Sequence, residues 1–219
     1  MSSLLRTTLL IKSFWPSAVR FAYRHPVKIN QLWNRYRDYL GRFSKVAQLT
    51  GQNVDRIEQL FYEVECEQSV SREFTKHAFP LHPVIYHVLV RLVQPCIVVE
   101  TGVNEGWSSL FKLLAMERNK RGTLYSIDLP NADFELGPGM GRQTASLGGH
   151  DTGYRVPLSL QTRWQLQLGD AKDLLPRLLN TLGAIDVFIH DSLHSYNHML
   201  FEFSTAWSHL KDRRATLIR

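Results

Sequence analysis

The sequence predicts an α/β protein: a doubly wound, mostly parallel sheet with a helical N-terminal extension. Three observations carry this. Short runs at Cys96–Val99, Thr123–Ile127, Trp164–Leu168 and Ala184–Ile189 read as strands, and the first, apolar and β-branched without periodic gaps, has the pattern of a buried strand in a parallel sheet. Each run stops at or next to an acidic residue, namely Glu100, Asp128, Asp170 and Asp191. Helical periodicity follows, first in SSLFKLLAMERN, with Leu110, Leu113 and Leu114 on one side.

The 219 residues suffice for one substantial core, and 44% hydrophobic content is ordinary for a soluble globular chain. Two cysteines, Cys66 and Cys96, form neither a metal spacing nor a secreted framework, which places the protein in the reduced cytoplasm. The net charge of +6 is concentrated at the start: the first 50 residues carry nine Lys or Arg against the single acid Asp38. The remainder is slightly acidic, so no nucleic-acid partner is expected.

We divide the chain into residues 1–94, a helical extension with a basic leader, and residues 95–219, the α/β core. The leader has no uncharged run of 18 residues, which argues against a spanning helix, and no clear cleavage site for a secretory signal. A peripheral membrane contact through an amphipathic basic helix is one reading. We favour an extension packed on the core or on a second subunit of a homo-oligomer. After Pro26, apolar residues from Ile29 to Ala47 recur at helical spacing. Thr50, Gly51 and Asn53 mark a stop and restart, and Val54–Val64 predict a further helix with Ile57, Leu60 and Phe61 inward. Residues 65–76 read as a connector. Pro83 suits the first turn of a helix over VIYHVLVRLV, which would lie across the sheet and feed the first strand.

Cys96 to Trp107, CIVVETGVNEGW, reads as strand, glycine loop and helix start. Unpaired backbone N–H groups at such a start offer donors to a ligand laid across the strand end. The loop lacks the lysine of a phosphate-binding GxxxxGK[ST] loop and the spacing of GxGxxG; what stands is E-x-G-x-x-x-G. Asp128 follows Gly106 by 22 residues and closes the second strand, where a carboxylate can accept from a ribose diol.

VVETGVNEG, LYSIDLP, LGDAKDLLPRL and IDVFIHDSLHSY, in that order over residues 96 to 196, resemble the class I S-adenosylmethionine-dependent methyltransferases, which have a Rossmann-like core. Within them they resemble the small O-methyltransferase-like group acting on sugars, antibiotic precursors and catechols. The resemblance implies S-adenosylmethionine as cofactor, with Glu100, Gly102, Asn104, Gly106, Asp128 and Asp170 on its side of the site. Asp170 would either contact the adenine side or cap the next helix. It also implies methyl transfer to a hydroxyl of a small molecule or sugar, with Asp191 beside the transfer centre and, in several members, binding a divalent ion such as Mg²⁺. His194 would lie on the acceptor side.

Residues 130–157, rich in glycine, are long for a connection, and either fold over the site, bringing Arg142, His150 and Arg155 to an acceptor, or form a surface excursion. Successive strand side chains face opposite ways, so His190 and Asp191 cannot share a site while the strand continues; His190 is given no catalytic role. His194 would serve as general base, or a carboxylate-held Mg²⁺ would activate the acceptor. Tyr196, Met199, Leu200, Phe203, Trp207 and Leu210 predict the buried stripe of the following helix. Ala215–Ile218 predicts a fifth strand. The expected pattern is truncated there, without the acidic pair that the resembled family carries, so a metal would lack ligands. A strand edge at that point favours pairing with another chain. The alternative function is a degenerate or partial methyltransferase fold serving as a cofactor-binding or assembly module.

Overall fold

The computed structural model describes residues 44, 47–48, 51–65, 81–130, 133–135, 142–144, 147–211 and 216–218. Most of the leader, residues 66–76 of the connector and the side chain of Arg142 lie outside the described residues. Two compact units are present, Met1–Glu58 and Gln59–Arg219. In the first, the Asn53 side chain accepts from Asp55 N at 3.0 Å and caps helix α1 (Val54–Glu65), the restart that the sequence signals.

In the second unit a five-stranded sheet has the order β5-β2-β1-β6-β7, every neighbouring pair parallel. The strands are β1 (Ile97–Thr101), β2 (Thr123–Asp128), β5 (Trp164–Leu168), β6 (Val187–His190) and β7 (Thr216–Ile218). A small antiparallel hairpin, β3 (Asp133–Glu135) with β4 (Arg142–Thr144), branches off between β2 and β5. Helices α2 (Leu81–Val93), α3 (Trp107–Asn119), α4 (Ala171–Leu182) and α5 (Tyr196–Trp207) complete the layers. This is the expected doubly wound sheet, and β6 is central and buried at all four residues, as its two-faced apolar pattern requires.

Val99, Ile127 and Phe188 pack with Leu175, Leu178 and Leu179 of α4 and with Ala206 of α5. Each buried leucine contributes about 1.5–3 kcal/mol through removal of apolar surface from water. Register is pinned at the amino edge of the sheet. Asp186 Oδ2 accepts from Cys96 N and Ile97 N, each at 2.8 Å, and Lys211 Nζ donates to Oδ1 at 3.0 Å. Burial pushes the Asp186 carboxyl up, but these donors hold it below the usual range. Fixing β1 against β6 here fixes which residues emerge together at the other edge.

Two expectations need correction. Strand β1 runs on through Glu100 and Thr101, so Glu100 is inside the strand and not at its end. The stripe predicted on α5 is turned: Tyr196, Leu200 and Trp207 are 77%, 51% and 47% exposed, while His198, Glu202 and Ala206 face inward. The cause is the carboxyl edge of the sheet, where buried polar groups of β1 and β6 require polar partners that a leucine cannot supply.

Helix α2 packs on α3, and its His87 is fully buried with Nδ1 donating to the Phe111 carbonyl at 3.2 Å. Burial pushes the His87 pKa down to about 4. Because the folded value lies below the unfolded value, the unfolded chain binds the extra proton between about pH 6.5 and 4. Stability is therefore complete above that window and falls by up to about 3 kcal/mol across it. Thermal melting should occur at a lower temperature at pH 5 than at pH 7, with a smaller difference in His87→Gln; equal pH sensitivity in the two proteins contradicts the assignment.

Candidate functional site

The parallel register aligns Thr101 with Ile127 and with His190, and Asp128 with Leu168, so the loops after β1, β2, β5 and β6 leave one edge of the sheet. Open α/β sheets bind ligands in the crevice outside such an edge. The glycine loop turns here. Gly102 and Gly106 have φ of 84° and 86°, and Asn104, with φ 52°, adopts the left-handed conformation that asparagine tolerates. Gly106 precedes α3 with no side-chain cap, leaving N–H groups of the first turn to other acceptors.

The missing side chains of both glycines make room for backbone. A Cβ on Gly102 would overlap the carbonyl of Asp191, and one on Gly106 would stand 2.7 Å from Gly153 Cα. Gly153 in turn leaves room for the Trp164 ring. Two loops far apart in sequence are thereby closed on 102–106: the β6 exit from one side and residues 147–157 from the other. Gly153 N donates to the Asn104 carbonyl at 2.8 Å, Arg155 N to the Glu105 carbonyl at 3.1 Å, and Arg155 Nε to Glu105 Oε2 at 2.7 Å. The Arg155 bond, ahead of an opposing burial effect, holds Glu105 below the usual carboxylate range. Of the two readings of the long connection, residues 147–157 follow the first and lie over the strand ends. His150 stacks on Tyr154 at 4.4 Å between ring centroids, and Arg155 lies over the rings of Tyr154 and Trp107.

Asp128, largely buried at the end of β2, accepts from Val103 N at 2.9 Å and from Thr152 Oγ1 at 3.4 Å. Burial pushes its carboxyl up, against the lowering effect of the Val103 and Asn104 backbone and Thr152. Asp170 is exposed and caps α4, accepting from Lys172 N at 2.8 Å. Of its two predicted roles, the cap is therefore occupied. Glu100 points away from the groove. It is fully buried, accepts from Ser109 Oγ at 2.6 Å and Ser126 Oγ at 2.7 Å, and is ion-paired to the equally buried Lys112. Ser126 also receives the Trp164 indole N–H at 2.7 Å. Its carboxylate thus braces α3 and the floor of the loop.

Asp191 lies one residue past β6, its N–H donating to the Thr101 carbonyl at 2.8 Å. The half-exposed His194 places Nε2 3.6 Å from Asp191 Oδ1, a separation for electrostatic attraction and too long for a hydrogen bond. His190 turns its Nδ1 to Glu202 Oε2 at 2.5 Å, while its ring meets that of His194 edge to face at 5.1 Å between centroids. Glu202 and His198 are polar members of this edge that the sequence analysis does not identify. Their signal was there, as a His and a Glu four apart on the helix after a strand ending in His-Asp. Among the described residues no group of three or more His, Cys, Asp or Glu could hold a metal ion. Asp191 and His194 form only a pair.

The fold and this edge define a doubly wound domain with a glycine loop at the carboxyl ends of its strands. Residues 99–218, more than half of the chain, match the model of a family described as a methyltransferase domain, and the chain belongs to that family. No curated protein matches the sequence significantly. Among solved structures the chain is similar to a Podospora anserina methyltransferase bound to S-adenosylhomocysteine (15% identity over 75% of this chain and 61% of that one, TM-score 0.43). It is also similar to a Bacillus cereus O-methyltransferase with the same ligand (15%, 72% and 60%, TM-score 0.45) and to a calicheamicin methyltransferase (14%, 75% and 76%, TM-score 0.49). The chain spans about 60% of the length of the first two.

Gly102→Ala should destabilise the fold by at least about 2 kcal/mol, since the new methyl meets backbone in a left-handed conformation. Gly148→Ala, which has the same sign of φ and open space around it, should cost about 1 kcal/mol. Denaturant unfolding of both variants checks this, and equal losses contradict the close approach.

Proposed function

We propose that this domain binds S-adenosylmethionine across the carboxyl ends of β1, β2 and β5 and transfers its methyl group to a hydroxyl of a small molecule or sugar held over the end of β6. The observation that carries the reading is the approach of the glycine loop to Asp191 at Gly102, which makes the donor side and the acceptor side one crevice. The residues suit the donor. Asp128 offers a carboxylate at the ribose position and α3 an uncapped start. Bound there, the donor supplies an electrophilic methyl on a sulfonium.

The chain's own work is alignment and proton removal. Glu100 and Lys112 brace the loop from below, and the 147–157 strap keeps water from its outer side. His194, exposed toward the crevice, takes the acceptor proton. Asp191 attracts the Nε2 side of that ring and favours its proton there, which leaves Nδ1 as the accepting atom. Cytoplasmic location and assembly into a homo-oligomer belong to the same reading, supported by the two-cysteine composition and the basic leader.

Titration calorimetry tests the donor. Asp128→Ala should weaken S-adenosylmethionine and S-adenosylhomocysteine alike, each by about tenfold or more, equivalent to about 1.4 kcal/mol. Loss for only one of them contradicts a shared ribose contact, and absence of binding to the unaltered protein overturns the reading. Asp191→Asn should keep donor affinity within about twofold and slow methyl transfer to a small phenol or sugar acceptor by about a hundredfold or more. Unchanged turnover would make this strand end structural.

A further inference from the structure

The described polar group most heavily bonded at this edge is not among the residues assigned to donor or acceptor. Glu202 is fully buried on α5, and four donors converge on its two oxygens. Thr101 Oγ1 at 2.6 Å and His190 Nδ1 at 2.5 Å meet Oε2; Ser192 Oγ and His198 Nε2, both at 2.8 Å, meet Oε1. These partners come from the end of β1, the end of β6, the loop that follows it, and α5 itself. We propose that Glu202 is a positioning residue: it fixes His190 and His198 in opposite tautomers and, through Thr101 and Ser192, sets the Asp191–Ser192 backbone against Gly102.

An ionised carboxylate only accepts, so each of its four neighbours must donate. His190 therefore carries its proton on Nδ1 and His198 on Nε2. The remaining nitrogens, His190 Nε2 and His198 Nδ1, are buried and have no hydrogen-bond partner among the described residues. A bare lone pair suits such a place better than an N–H without an acceptor. Burial pushes the Glu202 carboxyl up, but the His190, Thr101 and Ser192 bonds hold it below the usual range.

The effect reaches the donor loop through backbone. Ser192 is tied to Glu202, Asp191 N–H is tied to the Thr101 carbonyl, and the Asp191 carbonyl fills the space beside Gly102. Moving residues 191–192 moves the wall of the glycine loop, so Glu202 governs donor affinity without touching the donor. This coupling rests on the donor reading above; the tautomers do not.

The experiment is a long-range ¹H–¹⁵N correlation spectrum of the full chain labelled with ¹⁵N-histidine at pH 7.5, with signals assigned by His190→Asn and His198→Asn. The expected result is Nδ1–H for His190 and Nε2–H for His198. A proton on Nε2 of His190, or two protons on either ring, overturns the proposal. Glu202→Gln replaces one accepting oxygen with a donating amide, so one of the two rings should switch tautomer; an unchanged spectrum is contrary. Affinity for S-adenosylhomocysteine should fall at least fivefold in Glu202→Gln and in Ser192→Ala, which removes the loop tether and the hydroxyl 3.2 Å from His198 Nε2 and keeps the case decidable if the first variant does not fold. Unchanged affinity in folded Ser192→Ala removes the coupling. An unaltered protein that fails to bind S-adenosylhomocysteine refutes the donor reading, and the spectrum then decides the tautomers by itself.

Discussion

At the carboxyl edge of the sheet, backbone leaving β1 and backbone leaving β6 come so close that a single methyl group has no place between them. Gly102 meets the Asp191 carbonyl, and Gly106 meets Gly153. Both contacts need a residue without Cβ at positive φ. From them follow the closure of the 147–157 strap, the position of Asp128 under Val103 and the nearness of the glycine loop to Asp191. The glycines that the sequence offers as a surface for a cofactor serve first as joints between loops, and the crevice exists because those joints are tight.

Charge is organised around the same edge on two faces of the sheet. On one face the buried Glu100–Lys112 pair, with Ser109 and Ser126, holds α3 to the strands. On the other, Glu202 gathers Thr101, His190, Ser192 and His198. Buried carboxylates without partners would destabilise the fold strongly, and here each is paired. Rigidity where the strands end is the consequence, and the mostly buried Asp191 and the half-exposed His194 follow directly on that base.

The inner strands were legible because parallel sheets demand continuous apolar runs, as in CIVV and the core of AIDVFI, while WQLQL alternates and forms the edge strand β5. Asp128 and Asp191 were legible from their place after such runs. Glu100 was misplaced because strand length depends on pairing: its partners Ser126 and Ile189 extend β1 by two residues and turn the carboxylate to the α3 face. Helix α5 misled for a related reason. Its apolar stripe is regular, but the strand ends present hydroxyl and imidazole groups, so His198 and Glu202 turn inward and Tyr196, Leu200 and Trp207 face out. A shallow depression lined by Phe203, Ser204 and Trp207 lies on the same helix. The strap over the glycine loop depends on contacts between residues about 50 apart and leaves no local pattern.

The central claim is that one crevice, floored by the glycine loop and walled by the β6 exit, receives an adenosyl donor. Hydrogen–deuterium exchange of the full chain with and without S-adenosylhomocysteine tests it directly. Slower exchange in residues 102–106, 128–130 and 191–193, with α2 unchanged, is the predicted result. Exchange that is unaltered at the glycine loop at a saturating concentration of ligand would contradict the account.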